Sequence, residues 1–384
     1  MPMKKICFIV AIPGTAESFL YKHMSDLGEH YEVHLIADFQ SEDQQRMFSE
    51  AGVVCHNAPI KRPIRLFSDL KAMLSLMKIF RTEQFHAVHS VTPKAGLLTS
   101  VAGWMARVPH RIHIYTGQVW STQTGFMRFL LKTMDRIIAL LNTEILVDGE
   151  GQRQYLIAEK VINETGSKVL ANGSIAGVEL DKFVVSDAIR ARERARFNMM
   201  DTDVVYVFLG RLNHDKGIGE LFMAFDRLAA ECDNVRLVLY GTDEEGYDSK
   251  VDQYANIRRN MNSHYPGRTD HPYESLQVGD VFVIPTWREG FGMSVIEAQG
   301  LGLPVITSDA YGVVDASVEG KTGLRCKVGD PETLYLSMKK YHSDSKLRMR
   351  HGSEGRKRVR DLFDNKLVGQ AWVDYYDELL NYSK

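Results

Sequence analysis

The chain of 384 residues has little to offer several classes of protein. Its four cysteines, Cys7, Cys55, Cys232 and Cys326, are scattered, with no CxxC pair and no Cys/His ligand spacing. That excludes a disulfide framework and a zinc ribbon, and fits a reducing compartment. No run of about 18 apolar residues exists, so no membrane-spanning helix is expected. The opening MPMKKICFIVAIPG has an apolar run too short for a secretory leader, and reads as a buried first strand. There is no low-complexity tract and no sequence repeat. The net charge is only −2, which does not suggest a nucleic-acid binder. No G-x-G-x-x-G follows the first strand, which weakens a dinucleotide-cofactor dehydrogenase. The acidic stretch Asp243–Glu245 reads as a solvated loop at a strand end.

What is present is an alternation. Short apolar runs at Ile6–Ala11, Val33–Ala37, Ala87–Val91, Arg111–Thr116, Thr143–Val147 and Lys168–Leu170 are separated by helix-periodic stretches such as Leu66–Phe80 and Phe126–Leu141. The pattern restarts with strands at Val204–Leu209, Val235–Tyr240, Val278–Ile284 and Pro304–Thr307, and helices at Ile218–Glu231 and Ser294–Leu301. Strands alternating with helices predict parallel sheets covered on both faces. A chain of this length supports two domains. The seam is placed near Asn172–Leu180, dividing residues 1–175 from residues 176–365, with the charged Asp181–Arg196 as a surface helix or linker. The aromatic-rich tail 366–384 needs a surface for Trp372, Tyr375 and Tyr376, and is expected to pack back on the first domain.

Two segments carry chemistry. EGFGMSVIE (Glu289–Glu297) directly follows the apolar run VFVIPT. A strand that ends, a glycine-containing turn and a helix start near Met293 or Ser294 leave free backbone N–H groups that suit an anion. Gly290 and Gly292 allow the backbone to approach a phosphate. Glu289 in the loop and Glu297 one turn into the helix could accept hydrogen bonds from hydroxyl-rich groups. GRLNHDKG (Gly210–Gly217) follows VVYVFL, placing Arg211 at the carboxyl end of a strand and Lys216 at the start of the next helix. Ligands bind at such ends in open α/β sheets, and two cations there could hold a diphosphate.

The two segments together resemble the donor domain of retaining glycosyltransferases of the GT-B fold, family GT4, which carry GR-x-x-x-x-KG followed by a Glu–x7–Glu motif containing GFG. GLPVITSD (Gly302–Asp309) and EGKTGLRCKVGDPETL (Glu319–Leu334) resemble the segments that follow. The first half is more weakly similar, through the Gly14 loop, TPKAGLL and RIHIYTGQVW. The resemblance implies two Rossmann-like domains facing across a cleft, the first binding the acceptor and the second the donor. It implies that Arg211 and Lys216, beside Gly210, neutralise the leaving diphosphate, that Glu289 touches the donor sugar and that Glu297 holds the ribose hydroxyls. Phe291, Gly292, Met293 and Ser294 would line phosphate and sugar, Gly267–Thr269 would approach the base, and Gly14 and Thr15 would face the diphosphate from a loop of the first domain. Many relatives have a His-Gly pair where this chain has Thr116–Gly117. His89 and His113 lie nearby, as substrate contacts or as structural residues.

The resemblance further implies a metal-independent, retaining transfer with no cofactor, from a UDP-sugar, with a hexosamine derivative as the guess, to a lipid-linked or soluble glycan acceptor in bacterial capsule or O-antigen synthesis. A catalytically silent nucleotide-sugar binder is the alternative. Residues 61–136 hold twelve Lys and Arg against three Asp and Glu. KRPIR (Lys61–Arg65), the helix Phe126–Leu141 and Trp120 in this stretch suit an anionic membrane surface. The expected location is therefore cytoplasmic, peripheral on the inner leaflet. The competing expectation for Phe126–Leu141 is a core helix with its cations toward solvent.

Overall fold

A computed structural model describes residues 3–61, 66–254, 256–257 and 262–381. The chain divides into two units, Met1–Ala176 with Lys366–Lys384, and Gly177–Asn365.

The first unit is built on a parallel sheet of β1 (Lys5–Ile9), β2 (Glu32–Ala37), β3 (Val54–Asn57), β4 (Ala87–Val91), β5 (His110–Tyr115), β6 (Glu144–Val147) and β7 (Ser167–Lys168), in spatial order β3-β2-β1-β4-β5-β6-β7. Its central strands are continuous apolar runs because both faces are covered: Ile6, Phe8 and Leu35 pack into one cluster and Cys7, Ile9 and Val88 into another. The helix Asn365–Asn381 closes the first of these clusters with Trp372, Val373 and Tyr376. Trp372 stacks on His23 and His89, with ring centroids 4.6 and 5.0 Å away, and the Tyr376 hydroxyl lies 2.9 Å from His89 Nδ1.

The second unit has β8 (Val204–Leu209), β9 (Val235–Tyr240), β10 (Ser263–Gly267), β11 (Val281–Ile284), β12 (Val305–Ser308) and β13 (Gly323–Cys326), all parallel, in order β10-β9-β8-β11-β12-β13. One apolar cluster runs through this unit on both faces of the sheet. The order reverses between β1 and β4 in one sheet and between β8 and β11 in the other. Those are the topological switch points where open α/β sheets bind ligands at strand carboxyl ends.

The charged segment 181–196 proves more than a surface linker. Its helix Asp187–Arg196 buries Glu193 and Arg194. The Arg194 guanidinium donates to the carbonyls of Met200 (2.6 Å) and Asp203 (2.9 Å) and pairs with Asp280 at 3.2 Å, which satisfies a cation that burial would otherwise make costly.

Candidate active site

The loops after β8 and β11 flank the switch point of the second sheet, and both sequence motifs lie in them. After β8 the backbone passes through Gly210 and Arg211 into a short helical turn, His214–Lys216, capped by the Asn213 side chain, which accepts from Lys216 N at 3.2 Å. Gly217 follows with φ 71°. A Cβ here would overlap the carbonyl oxygen of Pro285, at the end of β11. Glycine is therefore required both for the left-handed conformation and for the close approach of the two loops. Other bonds knit them together. Asp215 O accepts from Trp287 N (2.8 Å) and from the Thr286 hydroxyl (2.8 Å), and the Asp215 carboxylate pairs with Arg288 at 2.6 Å.

This packing brings Lys216 onto Glu289. The ammonium donates to the Glu289 carboxylate, and both side chains are largely shielded from water. Arg211 is the more exposed cation. Glu244, in the loop after β9, holds its guanidinium at 3.0 Å and also accepts from Asn213 Nδ2 at 2.7 Å. Asp243–Glu245 is thus a largely solvent-exposed loop at a strand end, as expected, but one whose Glu244 reaches Arg211. Asp243 is pushed up by burial, but the backbone N–H groups of Asp248, Tyr247 and Glu245 outweigh this and hold its carboxyl below the usual range.

The helix Met293–Gly300 starts at Gly292, whose φ is 95° and which offers no capping side chain, while Val295 N donates to the Gly292 carbonyl at 3.0 Å. The positive end of a helix dipole favours an anion. Gly312 packs so tightly behind that loop that a Cβ would overlap the carbonyls of Glu289 and Gly290. Phe291 is buried, while Met293 and Ser294 are half-buried. Glu297 is also half-buried, and its carboxylate accepts from no donor among the described residues. Burial pushes its carboxyl up to about 7. Gly267 and Thr269 stand at the carboxyl end of β10, with the Thr269 hydroxyl 2.8 Å from that of Ser275.

In the first unit several expectations change. Gly14 and Thr15 do not lie in a loop. They form the first turn of the helix Pro13–Phe19, directly beyond β1, because Pro13 presets helical φ at its first position. Thr116 follows β5 and is half-buried. His89 and His113 are wholly buried: His89 sits between Trp372 and Phe8, and His113 Nδ1 lies 2.9 Å from the Ser90 hydroxyl, with burial lowering its pKa to about 3. Both are structural. Trp120 is buried, not exposed, and donates its indole N–H to Asp135 at 2.7 Å. Lys61 is exposed, and the remainder of KRPIR lies outside the described residues.

The helix Gly125–Leu141 fits its core-helix reading only in part: Ile138 enters the core and Arg136 is exposed. Arg128 and Lys132 face inward, pairing with Glu159 at 3.0 and 2.5 Å and standing over the Trp120 ring. One apolar stripe faces outward, with Phe126 74% exposed, Phe129 64% and Leu140 80%, while Ile138 is buried and Leu131 packs against the same inner cluster. On the helix Leu66–Glu83, Phe67 is 92% exposed, with Leu70 and Leu74 on the same stripe. A helix that turns Arg128 and Lys132 to the protein and one apolar stripe to the outside presents a surface suited to a further apolar partner.

The glycosyl transferases group 1 family model matches residues 189–358, and the glycosyl transferase 4-like domain model matches residues 19–173. The chain is 31% identical over 356 residues to the capsular polysaccharide biosynthesis glycosyltransferase CapM of Staphylococcus aureus, covering 93% of this chain and 92% of that protein. It is 27% identical over 256 residues, 65% of each chain, to the Escherichia coli UDP-Gal:alpha-D-GlcNAc-diphosphoundecaprenol alpha-1,3-galactosyltransferase. Among solved structures, Anabaena HepE in complex with UDP and glucose superimposes with a TM-score of 0.79 at 16% identity, over 98% of this chain and 99% of that one. The protein therefore belongs to the GT4-type glycosyltransferases. Its two parallel-sheet units are those of the GT-B fold.

Proposed function

We propose that this glycosyltransferase moves a sugar from a UDP-linked donor, with retention of configuration and without a metal ion, to a lipid-diphosphate-linked glycan acceptor in bacterial surface polysaccharide synthesis. The observation that carries this reading is the pairing of Lys216 with Glu289 at the switch point of the second sheet, beside Arg211 and the start of the helix Met293–Gly300. A departing diphosphate develops negative charge, and two cations beside a helix N-terminus can stabilise it. Carboxylates already hold both cations, so the diphosphate would displace Glu244 from Arg211 and Glu289 from Lys216. Glu289 is then released toward the sugar hydroxyls. With Arg211 and Lys216 supplying the positive charge, the diphosphate oxygen itself can take the acceptor proton on the face from which it leaves.

The choice of UDP is supported by the name of the E. coli relative and by the UDP complex of HepE, and the lipid-linked acceptor by the former. A hexosamine derivative as the transferred sugar remains the reading from family resemblance. In a thermal-shift screen, UDP-sugars should raise the melting point more than GDP- or ADP-sugars. Radiolabelled transfer from the best donor separates an enzyme from a silent binder. A preference for GDP- or ADP-sugars would overturn the donor assignment.

Glu297 gives the donor site a pH signature. Its carboxyl is raised to about 7 from an ordinary value of 4.5. Between those values the folded protein keeps a proton that the unfolded chain has released, so this group's contribution to stability falls as pH rises through the window. Ribose hydroxyls need the ionised form as acceptor, so KM for the donor should fall as pH rises through about 7. Glu297→Gln should flatten that profile and raise the donor KM roughly tenfold, with kcat little changed. A donor KM profile identical to wild type would remove Glu297 from the ribose site.

Peripheral attachment to an anionic inner leaflet follows from the same reading. The exposed stripe of Phe126, Phe129 and Leu140 and the cationic surplus of residues 61–136 support it. Co-sedimentation with anionic vesicles at low salt should be strong for wild type and weakened at least tenfold in Phe129→Glu/Leu140→Glu. Equal recovery of both proteins would refute attachment through this stripe.

A further inference from the structure

Between the helices Leu66–Glu83, Pro93–Met105 and Gly125–Leu141 lies a cavity of about 340 Å³. Its walls are mostly apolar, formed chiefly by Leu97, Leu98, Trp120, Leu131 and Met134, with Lys94, Asp69 and Asp135 as the charged lining residues. The size and lining fit a small, largely apolar ligand. The cavity is not a remote packing fault. Pro93 and Lys94 directly follow β4 and Trp120 belongs to the loop after β5, so it opens at strand carboxyl ends, on one side of the β1/β4 switch point.

Lys94 lies in the first turn of the 13-residue helix Pro93–Met105, whose N-cap Thr92 makes no side-chain capping bond; the positive end of the helix dipole favours an anion there. Thr92, just before it, is held at φ 78°, a conformation that a β-branched residue adopts only under constraint, and its hydroxyl oxygen is buried with no partner among the described residues. Lys94 pairs with Asp69 at 2.6 Å, and Arg128 and Lys132 stand over the Trp120 ring that walls the slot. An anionic head and an apolar chain would therefore be satisfied by adjacent parts of one site.

We propose that this slot binds the hydrocarbon chain of the lipid-linked acceptor next to its diphosphate, with the phosphate end at the Pro93–Met105 helix start. The assignment rests on the lipid-linked acceptor reading above. It adds a residue-level subsite that grips one chain, distinct from adhesion to a bilayer surface. Such a subsite recognises the lipid independently of the sugars attached to it.

The test is photolabelling with a benzophenone-bearing farnesyl diphosphate, followed by peptide mass spectrometry. Label is expected on Pro93–Met105 or Gly125–Leu141. Unlabelled farnesyl diphosphate should compete, and equal concentrations of inorganic diphosphate or UDP should not. Leu97→Trp and Met134→Trp, which fill the slot, should each reduce labelling at least tenfold, whereas Met134→Leu, which keeps it open, should preserve it. Labelling that persists in both filled variants, or that inorganic diphosphate abolishes, overturns the proposal. So does label confined to Phe126, Phe129 and Leu140, which would mark a bilayer contact. A doubled mass in light scattering that Phe129→Glu reverses, with no slot label, would assign the face to a second copy and also overturn it. Failure of the underlying reading shows separately. Equal kcat/KM for lipid-free and lipid-linked acceptors would sink the acceptor assignment, whereas normal lipid-linked transfer without slot label sinks the slot alone.

Discussion

Lys216→Ala is expected to lower kcat about 100-fold or more, the scale set by losing one preorganised stabiliser of transition-state charge. Arg211→Ala should fall in the same range. The leaving diphosphate gains charge only as the glycosidic bond breaks, so the loss should appear in kcat at saturating donor rather than in KM alone. Both variants should remain folded. Arg211 is half-exposed and Lys216 borders the loop rather than the apolar cluster of its unit. Removing Lys216 leaves Glu289 without its cation, which should cost no more than about 5 °C of melting temperature for a unit of this size. Rapid-quench measurement of sugar transfer checks the result. Near-wild-type turnover in either variant would refute the role of that cation.

Gly217→Ala should do its damage through the fold. The residue has φ 71°, and a Cβ would overlap the Pro285 carbonyl. The substitution must either push the loop after β8 away from β11 or strain both. A loss of about 3 kcal/mol or more is expected from the combination of left-handed strain and backbone overlap. Because the same contact brings Lys216 to Glu289, donor binding should fail even where the variant is still folded. Gly219→Ala is the control. Two residues on, within the helix Ile218–Glu231, an added Cβ meets nothing within 4 Å, and the change should be neutral or slightly stabilising. Urea unfolding of the two variants distinguishes them, and equal midpoints would remove the backbone contact from the argument.

The interior strands were legible because burial on both faces writes them as unbroken apolar runs. Val204–Leu209 and Val235–Tyr240 coincide with β8 and β9. The strands that went unread, Val54–Asn57, Ser263–Gly267 and Gly323–Cys326, are all at sheet edges. With one neighbour each and polar, proline or glycine residues among them, VCHN, SHYPG and GLRC carry no period to read. The site divides in the same way. Each motif is a strand, a turn and a helix start contiguous in sequence, so Arg211, Lys216, Glu289 and Glu297 could be named from spacing. Glu244 and the Asp215–Arg288 pair could not, since their partners are set by which strands lie side by side. Periodicity in Gly125–Leu141 revealed two faces but not which one turns inward. That depended on Glu159 and Trp120, which a helical pattern does not contain.

The helix Asn365–Asn381 has a consequence for biosynthesis. It supplies Trp372 and Tyr376 to the core of the first sheet, yet the ribosome makes it only after the entire second unit. The earlier sheet must leave the ring faces of Phe8, His23 and His89 uncovered throughout that interval, while the later unit already holds all of its own strands. Folding would then run against the direction of synthesis, with the second unit finishing first and the nascent first unit as the stage most open to chaperones and to aggregation.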